Sequence, residues 1–186
     1  MVEALHLGAL LPAAVGVCCT AGGRRGAGDL LAAIVMLVAM VDVATGAALL
    51  TPFTWSAVLV VVAMLSALRL RMARQPASEA GERTPRRHTG MVLHTSTGLL
   101  VMAAMLVAMA GHGAHAALGI SSQGQHHAGM SGGVFGLILV AAVAAYLAFT
   151  SRLAVIAVRE HRSLATVELV SMALSVATMG VAVAAA

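Results

Sequence analysis

A long apolar run from Leu30 to Leu68 constrains this chain more than any other feature of its sequence. A membrane-spanning helix needs about 20 apolar residues, so this run is too long for a single crossing. Thr51-Pro52 lies near its centre, and proline both lacks a backbone N–H and disfavours helical backbone at the preceding residue. The run therefore predicts two membrane helices, near 29–50 and 53–70, with a turn between them.

The composition extends this prediction to the whole chain. Of its 186 residues, 60% are hydrophobic and 10% are charged, and the mean hydropathy is +0.96. Soluble domains carry roughly 25% charged residues, so a soluble globular domain is excluded and a lipid bilayer is the predicted surrounding. We expect an all-α, polytopic six-helix bundle that forms one unit over residues 1–186. The predicted helices are about 4–20, 29–50, 53–70, 89–111, 134–158 and 164–186.

All eleven basic residues are arginines, and they follow alternate helices. They are Arg24 and Arg25, six arginines in the segment 69–88, and Arg152, Arg159 and Arg162. Because cytoplasmic loops carry the excess of positive charge, we expect the Arg-rich loop 71–88 in the cytoplasm and both termini outside. The absence of lysine beside abundant Ala, Val and Gly is typical of a GC-rich coding sequence. This composition favours a bacterial source, and so a bacterial plasma membrane. Nucleic acid is not an expected partner, because the arginines border apolar runs and no stacking aromatics accompany them.

The predicted outer loop, residues 112–133, is rich in glycine and histidine and carries no formal charge. Its histidines are His112, His115, His126 and His127, and they are expected near His6 of the first helix. Imidazole binds copper and other transition metals, so metal capture is one interpretation of this loop. A solvated, pH-sensitive segment is the other interpretation.

Methionine occurs twelve times, and much of it falls on helical stripes. At about 100° per residue, three helices each carry methionines on the same face as at least one ionisable residue. The stripes are Asp29 with Met36 and Met40; His94 and His112 with Met91, Met102, Met105 and Met109; and Glu168 and Ser175 with Met172 and Met179. Thioether and imidazole groups are ligands that Cu(I) prefers. The stripes therefore predict a path for a soft metal ion such as copper, from the outer histidines towards Asp29, His94 and Glu168.

Other polar residues have competing interpretations. Cys18 and Cys19, at the predicted cytoplasmic end of helix one, are candidate ligands if deprotonated, or simply small apolar residues. Asp42 is the deepest acid and lies off the methionine stripe, so we expect it to bond a backbone or hydroxyl group. His94 and Glu168 could instead form structural pairs with Arg87, Arg152 or Arg162.

The methionines also have a purely structural interpretation, because methionine is a flexible apolar filler. The alternative function is therefore a non-catalytic subunit, scaffold or assembly factor of a larger membrane complex, or a homo-oligomer, with the stripes used for packing. Haem is not favoured, because only His94 lies clearly within a helix body. No nucleotide-binding loop or serine-hydrolase elbow is present, so no catalytic residues are predicted.

Three stretches carry a resemblance to a known family: Asp29–Met40, His94–Met109 and Glu168–Met179. With six short helices and an Arg-rich centre, they resemble an actinobacterial integral membrane family described as domain of unknown function 5134. In that family the leading polar position of such helices is often histidine. Here His94 matches, whereas Asp29 and Glu168 differ. The resemblance implies a polytopic membrane fold and no established activity.

Overall fold

A computed structural model describes the backbone of residues 2–22, 26–74, 86–117 and 128–184, with side chains for 8–22, 26–72, 89–110 and 133–183. The described residues form six α-helices and no strand. These are α1 (Val2–Gly22), α2 (Ala27–Thr45), α3 (Pro52–Arg74), α4 (Arg86–Ala117), α5 (Ala128–Arg159) and α6 (Ser163–Ala184). The predicted all-α architecture is confirmed.

Five of these helices, α2 to α6, are long and apolar enough to cross a membrane. The remaining helix, α1, contains a shorter apolar stretch, Gly8–Gly22. The described helices are therefore consistent with a multi-pass membrane protein. A sixth crossing by α1 stays a prediction.

The turn between α2 and α3 comes earlier than the sequence suggested. Helix α2 ends at Thr45 rather than near residue 50, because Gly46 adopts a left-handed conformation (φ 63°, ψ 23°) at the C-cap. Glycine takes up this conformation without the steric cost that other residues have, and it commonly ends helices. Pro52 then opens α3, where its missing N–H costs no helical hydrogen bond. The predicted division of the long apolar run is thus confirmed, with a shorter α2.

Helices α4 and α5 both extend into the segment predicted as the outer loop. Helix α4 continues to Ala117 and α5 begins at Ala128, so the prediction of a loop over all of 112–133 was too long. The alanines at 114, 116 and 117 are strong helix formers, which explains the extension of α4 past its glycines. Residues 118–127 lie outside the described part of the chain.

The helices form a bundle in which α4 contacts four other helices. Each helix contacts the next one along the chain, α6 contacts α1, and α4 also contacts α2 and α6. The most extensive contacts join α3 to α4 and α1 to α6. In the apolar stretch of α4, 56% of residues are buried, against 17–44% in the other four candidate spans. Side chains on α4 are therefore the ones most completely removed from the surroundings.

Helices α1 and α6 approach closely at Gly16. A Cβ atom on Gly16 would lie 3.0 Å from Oγ of Ser171 and 3.6 Å from Cγ of Met172. One turn further along α6, Ser175 Oγ lies 3.4 Å from the carbonyl oxygen of Ala9. Small residues that let two backbones approach are typical of helix contacts in membranes. Gly16 and Ala9 thus allow α1 to lie against the polar side of α6.

We expect Gly16→Val to destabilise the bundle by about 1–3 kcal/mol, because the added side chain must displace Ser171 or separate α1 from α6. Gly8→Val is the matched control, since a Cβ there would meet no atom within 4 Å. Thermal unfolding of the two purified variants in detergent measures the difference. Equal unfolding temperatures for both variants would contradict the close approach of α1 and α6.

Candidate functional site

The methionines of the three predicted stripes face the interior of the bundle. Six of them are at most 7% exposed: Met36, Met40, Met102, Met105, Met172 and Met179. Met91 and Met109, nearer the two ends of α4, are half-buried. By contrast, Met64 and Met72 of α3 belong to no stripe and are 65% and 59% exposed. Among the methionines with described side chains, those on the stripes are buried or half-buried, whereas the two outside the stripes are exposed.

The buried methionines come together from different helices. Five of them belong to one continuous core cluster, contributed by α2, α4 and α6: Met36, Met40, Met102, Met105 and Met179. Met172 faces Met36 across a gap of about 10 Å³ between α1, α2 and α6. That volume is about the space of a single water molecule. The interior is thus rich in thioether groups and closely packed.

Glycine brings α6 next to the methionines of α4. A Cβ atom on Gly180 would lie 3.6 Å from Cε of Met105, which is ordinary van der Waals contact. Met179, the neighbouring residue on α6, is 1% exposed and belongs to the same core cluster. Met105 of α4 and Met179 of α6 therefore belong to one buried cluster, as expected if the stripes share a function or a packing role.

His94 is completely buried and is held by α5. Its Nε2 atom lies 3.3 Å from the hydroxyl of Tyr146, and its Nδ1 atom lies 3.2 Å from Oγ1 of Thr150. The rings of His94 and Tyr146 are stacked, with centroids 5.2 Å apart and an angle of 15° between planes. Gly98, one turn along α4, leaves room for the Tyr146 hydroxyl, which would lie 3.2 Å from a Cβ atom there. Both imidazole nitrogens thus face hydroxyl groups.

Glu168 is buried on α6, and α1 provides a partner for it. Oγ1 of Thr20 lies 3.2 Å from Oε1 of Glu168 and 2.9 Å from the carbonyl oxygen of Gly16. His94 and Glu168 are thus both buried, and each has a hydroxyl partner on a neighbouring helix. Tyr146, Thr150 and Thr20 are members that the sequence did not predict.

Asp29 has a different setting. It lies in the first turn of α2 and is partly exposed, a position where a carboxylate stabilises the positive end of the helix dipole. Close by, a Cβ atom on Gly28 would collide with the guanidinium of Arg69 from α3. The predicted grouping of Asp29 with His94 and Glu168 stays a prediction.

Asp42 joins the end of α2 to the start of α3. Its Oδ1 atom accepts a hydrogen bond from the backbone N–H of Leu49 at 2.9 Å. Its Oδ2 atom accepts from the N–H of Leu50 at 3.3 Å and from Nε1 of Trp55 at 2.6 Å. Asp42 thus bonds backbone groups, in keeping with the expectation for the deepest acid. Its indole partner, the single tryptophan of the chain, was not predicted.

Several predicted ligands lie at the margins of the described structure. His112 and His115 are in the last turns of α4, but their side chains fall outside the described residues, as do the side chain of His6 and the whole of His126 and His127. Cys18 and Cys19 are free thiols near the end of α1, exposed and partly exposed respectively. Among the described side chains, no group of three or more His, Cys, Asp or Glu residues is placed to hold a metal ion.

Comparison of the chain with protein-family models, with curated proteins and with solved structures finds no match. The resemblance to the actinobacterial family accordingly stays a prediction. The most distinctive side chains of the described structure are the buried methionines and the buried polar residues His94 and Asp42.

We expect Asp42→Asn to lower the unfolding temperature more than Asp29→Asn does. An asparagine turns an NH₂ group towards donors that need an acceptor, and an unsatisfied buried donor is costly. Asp29 is partly exposed, so its amide variant keeps access to other partners. Thermal unfolding in detergent, followed together with Trp55 fluorescence, measures both effects. An Asp42→Asn protein with the stability and Trp55 emission of the unmodified chain would show that the carboxylate does not hold this turn.

Proposed function

We propose that this chain is a multi-pass protein of a bacterial plasma membrane that binds a soft metal ion, Cu(I), through methionine thioethers inside its helical bundle. One observation carries the proposal. Five methionines of the helical stripes are buried together in one cluster, whereas Met64 and Met72, which share no stripe, are exposed.

The chemistry of the interior supports a soft ion rather than a hard one. Thioethers are neutral, polarisable ligands that select Cu(I), whereas Mg²⁺ and Ca²⁺ need several oxygen ligands. Methionines at i and i+4, such as Met36 and Met40, present two sulfurs on one face of a helix. Thioethers contributed by α2, α4 and α6 offer a monovalent soft cation several neutral ligands without the cost of burying carboxylates.

The proposal includes an orientation. With the Arg-rich connections in the cytoplasm, both termini lie outside, His112 and His115 lie at the outer end of α4, and His126 and His127 belong to the same outer segment of the sequence. Those histidines would supply the first ligands for an ion arriving from outside. Cys18 and Cys19 lie near the C-terminal end of α1, which this orientation places towards the cytoplasm. Their thiolates would be the inner ligands.

Inside the bundle, we assign the metal contacts to the methionines rather than to His94. Both nitrogens of His94 face hydroxyl groups, at 3.3 Å and 3.2 Å. A metal ion at His94 would have to displace Tyr146 or Thr150. In this proposal His94 fixes the rotation of α4 against α5, and so the direction in which Met102 and Met105 point.

A second candidate function, a scaffold or non-catalytic subunit of a membrane complex, is favoured by the close packing of the same cluster. The gap beside Met36 and Met172 holds only about 10 Å³, and methionine fills irregular cores well. The two functions differ in what they require of sulfur. A packing role tolerates leucine in place of methionine, whereas a metal site does not.

We expect the double substitution Met40→Leu with Met105→Leu to weaken Cu(I) binding at least about tenfold, since it removes ligands themselves and loss of outer-shell partners alone costs about 10–100-fold. The matched control is Met64→Leu with Met72→Leu, two exposed methionines outside the stripes. Each Leu-for-Met exchange nearly conserves volume and costs less than about 1.5 kcal/mol. Copper content after loading, and competition with a Cu(I) chelator, are measured on detergent-purified protein.

Circular dichroism and gel filtration establish that all three proteins are folded. Copper retained by the unmodified chain and by the exposed-methionine variant, but lost from the buried-methionine variant, is the expected pattern. Unchanged affinity in the buried-methionine variant would overturn the metal proposal and favour the scaffold. Equal losses in both variants would also contradict it, because binding would then follow methionine number instead of position.

A further inference from the structure

His94 is an ionisable side chain buried within a candidate membrane span, on the helix that contacts four others. Its side chain is 0% exposed, and its partners Tyr146 and Thr150 are each 1% exposed. Ionisable residues inside a membrane are costly to bury, and many of them bind or relay protons. The contacts of these three side chains define which atoms carry hydrogen.

Thr150 determines which nitrogen of His94 carries a hydrogen. A threonine hydroxyl has one hydrogen to donate, and that of Thr150 goes to the carbonyl oxygen of Tyr146, which lies 2.8 Å away and can only accept. Oγ1 of Thr150 therefore presents lone pairs to Nδ1 of His94, at 3.2 Å. Nδ1 must carry a hydrogen to bond them, so the contacts assign the Nδ1–H form to His94.

Tyr146 accommodates the other nitrogen with or without a proton. Its hydroxyl can donate and accept, and it lies 3.3 Å from Nε2 of His94. In neutral His94, Nε2 accepts a hydrogen bond from the Tyr146 hydroxyl. In the imidazolium form, Nε2–H donates and the hydroxyl oxygen accepts. The two states differ by one proton and by the direction of one hydrogen bond, and the same arrangement of heavier atoms serves both.

The ring of Tyr146 is also placed to contact the charge that a proton would bring. The centroids of the His94 and Tyr146 rings are 5.2 Å apart, with an angle of 15° between their planes. A cation over the face of a tyrosine ring within about 6 Å of its centroid is attracted by the ring. The imidazolium form would therefore have this contact as well as hydrogen bonds from both nitrogens.

Most other ionisable groups on the helices packed against α4 are exposed. Those with described side chains are Asp29 and Asp42 of α2, Arg69 and Arg71 of α3, Arg152 and Arg159 of α5, and Glu168 of α6. Only Asp42 and Glu168 among them are buried. Asp42 bonds the turn between α2 and α3, whereas Glu168 contacts Thr20 of α1. Their titration has to be distinguished from that of His94.

We propose that His94, Tyr146 and Thr150 form a proton-binding site inside the bundle, with the proton bound at Nε2 of His94. Proton binding turns the Tyr146 hydroxyl from a hydrogen-bond donor into an acceptor. The site takes up its proton as the pH falls, and histidine is the side chain whose ordinary titration lies between about pH 5 and pH 8. His94 is not one of the metal contacts proposed above, so the site does not depend on copper binding.

Tyr146 is the single tyrosine of the chain, so a tyrosine spectrum reports on this site alone. Ultraviolet resonance Raman spectroscopy of the detergent-purified protein follows the tyrosine ring doublet, whose intensity ratio differs between a donating and an accepting hydroxyl. We expect this ratio to change reversibly from donor to acceptor as the pH is lowered from about 8 to about 5. His94→Gln should show no change, because glutamine takes up no proton in this range. His161→Asn is the matched control: it removes an exposed histidine from the turn between α5 and α6 and should keep the change.

A constant ratio in the unmodified chain would overturn the proposal. A change that persists in His94→Gln would also overturn it, because another group, such as Glu168 or Asp42, would then hold the proton. Thr150→Val is a second test that leaves His94 in place. Without Oγ1 the imidazolium loses the acceptor of its Nδ1–H, so we expect the change about one pH unit lower or more. A change at the same pH in Thr150→Val would contradict the site.

Discussion

The central position of α4 in the helix bundle is the constraint on which the rest of the structure depends. In apolar surroundings a polar side chain has to find its partners on other helices, and α4 contacts α2, α3, α5 and α6. His94 meets this requirement through Tyr146 and Thr150 of α5. Glu168 of α6 meets it through Thr20 of α1. Each buried polar group thus ties two helices together and limits how they can rotate.

That limit on rotation accounts for the methionine-lined interior. His94 and Met105 are eleven residues apart, which at about 100° per residue brings them to within about 20° on α4. Once His94 faces α5, Met105 must face the space between α5 and α6, where Gly180 admits it. A polar contact at one level of the bundle therefore sets the direction of the thioethers at another. The same rotation turns Met105 and Ala108 towards the cavity between α4, α5 and α6.

Patterns within a single helix could be predicted from the sequence, whereas contacts between helices could not. The break at Thr51-Pro52 and the shared faces of the methionines follow from local backbone chemistry and helical periodicity. Tyr146 and Thr150 are 52 and 56 residues from His94, on a helix that is apolar nearly all round, so no periodicity indicated which face meets α4. The indole partner of Asp42 was missed for a related reason. Because α2 ends at Thr45 rather than near residue 50, the turn brings Trp55 back to Asp42. The only sequence signal for this contact was an acid and the single tryptophan on either side of a proline turn.

The central claim is that sulfur from the buried stripes, rather than imidazole nitrogen, holds the metal ion. X-ray absorption spectroscopy of the Cu(I)-loaded protein tests this most directly, because sulfur and nitrogen neighbours scatter differently at the copper edge. We expect the nearest neighbours of copper to be mainly sulfur atoms, with fewer of them when Met40 and Met105 are leucines. A first shell of nitrogen and oxygen alone would contradict it and would place any bound copper at the histidines.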